Sequence, residues 1–186
     1  HIGIVVQLLY HLLVLQDQPN TLLEQLGLLP LQKVGRRHFL VVEHLQVFDE
    51  ANTCVSRVDG VIDGKTGHEI AALNPDESLA PASLTKIMTT FVVFSALQQG
   101  QITLEEKVTV SEKAWRTEGS RMFIEVGTRV TVKDLLLGMI VQSGNDASVA
   151  LAEHVAGSES VFAEMMNQHA AAIGMHSSHF RNATGL

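Results

Sequence analysis

The run SLTKIMTTFVVFSALQQG, residues 83–100, constrains the fold more than any other stretch. Leu84, Ile87, Met88, Phe91, Val92, Phe94 and Ala96 recur at helical spacing but spread round most of the helix, and Gly100 supplies a stop. A helix apolar nearly all round is stable only inside a shell of other elements. The chain must therefore build several elements around residues 84–96, and its 186 residues suffice for one domain with its own core, or about one and a half.

Downstream of Arg57 the punctuation needed for such a shell is regular. RVDGVID and HEIAALN flank the Gly-rich GKTG and predict a hairpin. NPDESLAPAS reads as a loop, KVTVSEKAW as a short strand, and SRMFIEVGTRV as another strand ending at Gly127. TVKDLLLGMIVQ predicts a helix with Thr131 as N-cap and Asp134 three residues on. NDASVALAEHVAG predicts a second helix stopped by Gly157, and SESVFAEMMNQHAAAIG a third from Ser158 to Gly174. Residues 1–56 read differently: Leu- and Gln-rich, with apolar runs but few caps or turns, and no identifiable chemistry.

Composition narrows the function classes. A net charge of −7 without a Lys/Arg cluster excludes an electrostatic nucleic-acid binder; GRRH at 35–38 is too short. The single Cys54 excludes an intrachain disulfide and a cysteine-based zinc site. The nine histidines are scattered; His176 and His179 could share a helical face, but no ligand set accompanies them, and no metal is expected. IGIVVQLLYHLLVL at 2–15 is too short to span a membrane and lacks the basic start of a secretion signal. The chain opens on His and stops at NATGL, so a piece of a longer protein is expected.

Three stretches could carry chemistry. DGKTG resembles a phosphate loop, but Asp59 stands where the first Gly is required, and no long helix follows Thr66. The second stretch is PASLTKIMTT. If a helix begins at Ser83, Lys86 lies one turn on along the same face. A serine hydroxyl needs a base, and desolvation can make a lysine into one by lowering its pKa. Alone, the S-x-x-K pattern is common on surface helices. The third stretch is QSGND, between two predicted helices. There Ser143 can relay a proton, and the Asn145 amide can hold a substrate carbonyl and brace the lysine; the alternative is an interhelix turn capped by Ser143 or Asn145.

From about Asp59 onward, PASLTKIMT, VTVSEKAWRTEGSRMFIEVG, QSGNDASVALAEHVAGSE and MHSSHFRNATGL together resemble the bacterial D-alanyl-D-alanine carboxypeptidases, the low-molecular-weight penicillin-binding proteins. The resemblance implies an α+β fold of the β-lactamase/DD-peptidase type, an antiparallel sheet with a helical subdomain, incomplete at its C-terminal end. It divides the chain into a non-family segment, 1–56, and the N-terminal part of a catalytic domain, 57–186. It implies Ser83 as nucleophile, Lys86 as its base, Ser143 as proton relay and Asn145 as substrate-binding residue, with no cofactor.

The implied substrate is a peptidoglycan stem peptide ending in D-Ala-D-Ala, and β-lactams are the implied covalent inhibitors. The implied location is the periplasm at the inner membrane, with attachment through a C-terminal region absent here. The family's third box, a K-T-G strand, belongs after NATGL, so Lys65-Thr66-Gly67 reads as the hairpin turn. Without that strand the 186-residue piece is expected to be inactive and poorly stable alone. The rival readings are a class A β-lactamase, which usually carries S-D-N where this chain has S-G-N, and a catalytically dead peptidoglycan-binding module.

Overall fold

The computed structural model describes residues 40–48, 54–63 and 69–73 as strands, and residues 78 and 80–186 with their side chains. The apolar run at 2–15, the GKTG turn and half of the NPDESLAPAS loop lie outside the described residues. The described residues fall into two units, a sheet before Pro81 and a mainly helical body from Pro81 to Leu186. Elements of both kinds in separate stretches of the chain make the fold α+β.

In the first unit β1 (Leu40–Phe48), β2 (Cys54–Asp63) and β3 (Glu69–Leu73) form an antiparallel sheet in the order β1-β2-β3. The expected hairpin is the β2–β3 pair, in register from Asp59↔Leu73 to Ile62↔Glu69 with one irregularity after Val61. β1, which lies in the apolar run HFLVVEHLQVF that the sequence left open between helix and strand, pairs with β2 from Leu40↔Asp63 to Phe48↔Cys54 and joins residues on either side of position 57.

The helical body contains α1 (Thr85–Gln98), α2 (Glu112–Arg116), α3 (Val132–Gln142), α4 (Asn145–Ala156) and α5 (Glu159–Ala172). A two-stranded ladder, β4 (Lys107–Thr109) with β5 (Arg129–Thr131), completes it. The helix boundaries follow local chemistry. Thr131 Oγ1 accepts the Asp134 N–H at 3.0 Å and donates to Asp134 Oδ2 at 2.7 Å, the expected cap of α3. Ser158 Oγ accepts the Val161 N–H and opens α5. Gly157, at φ 78°, closes α4.

α1 is buried round most of its surface, as its sequence requires, and Val92, Val93 and Phe94 are core residues. Burying each such side chain contributes roughly 1.5–3 kcal/mol. The same helix buries Thr89 and Thr90, whose hydroxyls donate to the Ala183 and Lys86 carbonyls at 2.8 and 2.7 Å. Satisfied hydroxyls of this kind cost little to bury. α4 is the more enclosed of the two helices: every residue from Asn145 to Ala152 is buried. Its small Ala and Ser side chains let α1, α2, α3 and α5 all pack against it.

Two expectations are corrected. KVTVSEKAW is a strand only as far as Thr109; Ser111 Oγ then accepts the Ala114 N–H at 3.0 Å and starts α2. SRMFIEV is not a strand, and β5 begins only at Arg129. The reason is Asp146, fully buried at the start of α4, whose carboxylate accepts the Met122 N–H at 3.0 Å and the Ile124 N–H at 3.3 Å. A side chain takes the donors that a neighbouring strand would need, and Phe123 between them sits at φ 62°.

Asp146 also accepts the Ala147 N–H at 2.9 Å. Asp146→Ala therefore strands three backbone donors and is expected to destabilise the full-length protein by about 3 kcal/mol or more in chemical unfolding. A loss below about 1 kcal/mol would show that the 121–124 segment is held by something else.

Candidate active site

Ser83 lies in the 3-10 turn Ala82–Leu84 that leads into α1, one turn before Lys86. The turn is tight: the Leu84 N–H donates to the Pro81 carbonyl at 3.0 Å, and Ala82 is held at φ 46°. A left-handed alanine costs roughly 1–2 kcal/mol. That strain leaves Ser83 exposed at the surface while Lys86 points inward.

The Lys86 side chain enters the core and the residue is only 4 % exposed. Its Nζ lies 3.3 Å from Ser83 Oγ and 3.1 Å from the Thr184 carbonyl oxygen. Desolvation lowers its pKa from 10.5 to about 8, because an ammonium ion loses more on leaving water than a neutral amine does. At neutral pH an appreciable share of the molecules carries the amine unprotonated, with a lone pair beside a hydroxyl.

The second pair arrives on the α3–α4 connection. Ser143 ends α3 at φ 57° and ψ 34°, and Gly144 precedes the first residue of α4, Asn145. The left-handed turn aims Ser143 Oγ at Ser83 Oγ, 3.1 Å away. Ser143 and Asn145 therefore do not cap the turn with their side chains: the Asn145 amide nitrogen donates to the Glu118 carbonyl at 2.7 Å. The Asn145 backbone N–H donates to the Ser120 carbonyl at 2.7 Å, so the 118–120 segment is fastened twice. No hydrogen bond links Asn145 to Lys86; the expected brace on the amine comes from Thr184 instead.

Sequence reasoning missed that Thr184 contact. Asn182 Oδ1 accepts the Thr184 and Gly185 N–H groups at 3.1 and 2.7 Å and folds the last residues into a turn. Gly185 is at φ 81°, and a Cβ there would stand 1.9 Å from the Ala82 carbonyl oxygen, so only glycine lets this turn lie against the Ser83 turn. The N-A-T-G pattern signals a turn, but nothing in it indicates what the turn touches.

Three of the four side chains named from the sequence thus form the continuous series Lys86–Ser83–Ser143, while the Asn145 amide, two residues on from Ser143, is engaged by the Glu118 carbonyl. A shallow hollow of about 720 Å³ beside α3, lined by Met122, Phe123, Leu137 and Val141 among others, includes none of the four. The chemistry, not this hollow, marks the site. A hydroxyl with an amine base on one side and a second hydroxyl on the other is equipped for nucleophilic acyl transfer.

Comparisons with known proteins identify the family. The family model described as D-alanyl-D-alanine carboxypeptidase matches residues 48–186. The D-alanyl-D-alanine carboxypeptidase DacF of Bacillus subtilis is 45% identical over 126 residues, 68% of this chain and 32% of its own length. DacA of Haemophilus influenzae is 45% identical over 129 residues, 68% of this chain and 33% of its own. The chain thus spans about a third of the length of these curated relatives. Among solved structures, DacD of Francisella tularensis superposes with a TM-score of 0.67 at 36% identity, covering 84% of this chain and 37% of that one. Penicillin binding protein 5 of Haemophilus influenzae gives a TM-score of 0.67 at 44% identity, covering 70% and 39%. The fold is that of the DD-peptidases and penicillin-binding proteins, and the chain belongs to the D-alanyl-D-alanine carboxypeptidase family.

Proposed function

We propose that the protein is a serine-type D-Ala-D-Ala carboxypeptidase that removes the terminal D-alanine from peptidoglycan stem peptides through an acyl-enzyme. The observation that carries this reading is the exposed Ser83 hydroxyl, held 3.3 Å from a buried amine and 3.1 Å from a second hydroxyl on another segment. Neutral Lys86 takes the Ser83 proton as Oγ attacks the carbonyl of the penultimate D-Ala. The Ser83 backbone N–H is a donor to the oxyanion. Ser143 Oγ–H passes a proton to the departing D-Ala amine and is reprotonated by the Lys86 ammonium, which returns to the neutral amine. Water then releases the acyl group. Asn145 has one amide hydrogen committed to Glu118 and a second available for the substrate carbonyl.

A β-lactam presents a similar amide and acylates the same serine. The catalytic domain is taken to begin before position 57, since the family match starts at residue 48 and β1 pairs with β2 across that position; the periplasm at the inner membrane is taken as the place of action. Among the described residues no helix is long and apolar enough to cross a membrane. The class A β-lactamase reading is disfavoured at Gly144. A Cβ there would lie 3.1 Å from Asp146 Oδ1, 3.2 Å from the Gly138 carbonyl and 3.3 Å from the Met122 nitrogen, which leaves poor room for the aspartate of S-D-N.

A fluorescent penicillin is expected to label the full-length protein on Ser83, with no label on Ser83→Ala. Labelling that survives Ser83→Ala, or rapid nitrocefin turnover in place of D-Ala release, would overturn the reading. Ser143→Ala is expected to slow D-Ala release by roughly a hundredfold or more, the usual contribution of a positioned proton donor; a change of only severalfold would remove Ser143 from the proton path.

The lysine pKa gives a pH signature. Below about 8 the amine is mostly protonated and cannot accept the serine proton, so acylation should rise with pH through that value and level off above it. A rate indifferent to pH between 6 and about 10 would exclude Lys86 as the base.

A further inference from the structure

The turn that holds the Lys86 amine is itself held from outside. Glu159 opens α5, and its side chain is only 12% exposed. Its Oε1 accepts the Ala183 N–H at 3.1 Å, while its Oε2 pairs with Lys113 Nζ of α2 at 2.7 Å. The Ala183 carbonyl accepts the Thr89 hydroxyl of α1 at 2.8 Å. Ala183 is thus gripped at its N–H by α5 and at its carbonyl by α1. The next carbonyl along, that of Thr184, is the one that meets Lys86 Nζ.

We propose that Glu159 is a positioning residue for acyl transfer. By fixing the Ala183 N–H it sets where the Thr184 carbonyl stands, and through that carbonyl where the Lys86 amine sits relative to Ser83 Oγ. The inference rests on the reading of Ser83 as nucleophile and Lys86 as its base.

A carboxylate in the first turn of a helix has an ordinary explanation, its attraction to the positive end of the helix dipole. That explains an acidic residue at position 159 but not the bond across 24 positions to Ala183. A lysine side chain has four rotatable bonds, so its acceptors decide where the amine rests. Proton transfer from Ser83 needs that amine within hydrogen-bond reach. Two partners define it here, the hydroxyl it deprotonates and one carbonyl; without the carbonyl the amine is free to turn from the serine.

The test follows labelling of the full-length protein by a fluorescent penicillin. It reads separately the fraction of molecules finally labelled, the affinity before acylation, and the rate constant at saturation. Glu159→Ala is expected to label completely, with affinity within about twofold of wild type and a rate constant lower by roughly tenfold to a hundredfold, the scale of a displacement of about 1 Å in a reacting group. Glu159→Gln keeps an oxygen for the Ala183 N–H and should stay within about threefold. Lys113→Ala removes only an exposed partner and should stay within about twofold.

Glu159→Asp keeps the charge at the helix start but draws the oxygen back by one methylene. It should be slowed at least about fivefold even if Glu159→Ala fails to fold. The proposal is overturned if Glu159→Asp acylates at the wild-type rate, or if the variants lose labelled fraction while each labelled molecule reacts at the wild-type rate. A wild-type protein that takes no label on Ser83 would refute the catalytic reading itself, and this inference with it; that result appears before any variant at position 159 is made.

Discussion

The structure of the site depends on one buried amine. Lys86 lies inside the helical body, where a charge is costly, and its only close polar partners among the described residues are the Ser83 hydroxyl and the Thr184 carbonyl. The burial that would make this lysine a poor choice for stability is what brings its pKa toward neutrality. Everything nearby serves that placement. α1 carries the lysine one turn after Ser83, and the Asn182–Gly185 turn caps the amine from the other side. Gly185 is the residue whose missing side chain lets the two turns meet.

A second buried group organises the facing wall. Asp146 draws the 121–124 segment onto the start of α4, while Asn145 fastens residues 118 and 120 immediately before it. Two adjacent residues of one helix turn thus tie down seven residues of irregular chain that have no ladder of their own. Irregular backbone is rigid when its donors and acceptors are engaged one by one. The Ser143 turn, directly upstream in sequence, inherits that rigidity through the Ser120 hydroxyl, which donates to the Gln142 carbonyl at 2.6 Å.

This division explains what the sequence revealed. Features written in local chemistry were legible: the apolar girdle of α1, the Thr131 and Ser158 caps, the Gly157 stop, the β2–β3 hairpin, and the two short motifs carrying Ser83, Lys86, Ser143 and Asn145. Features made by contacts distant in sequence were not. SRMFIEV alternates like a strand, and only the Asp146 carboxylate, 24 and 22 positions away, takes its donors elsewhere. The brace on Lys86 was assigned to Asn145 because a side-chain amide can be recognised in a sequence. The group that provides it is a backbone carbonyl 98 positions away, which any residue type could supply.

The left-handed backbones at Ala82 and Ser143 fit the same logic. Each costs roughly 1–2 kcal/mol, and each lies at a point where a helix end must turn a side chain toward the common centre. Relaxing either would favour the local chain and separate the two hydroxyls, so the enclosing core must hold both. α4 does so with small residues, which let four helices pack against it. Gly144 is the extreme of that economy, since even one carbon there would press on Asp146, Gly138 and Met122 at once. The glycine between Ser143 and Asn145 is therefore a packing requirement of this wall, and replacing it would press first on the Asp146 anchor.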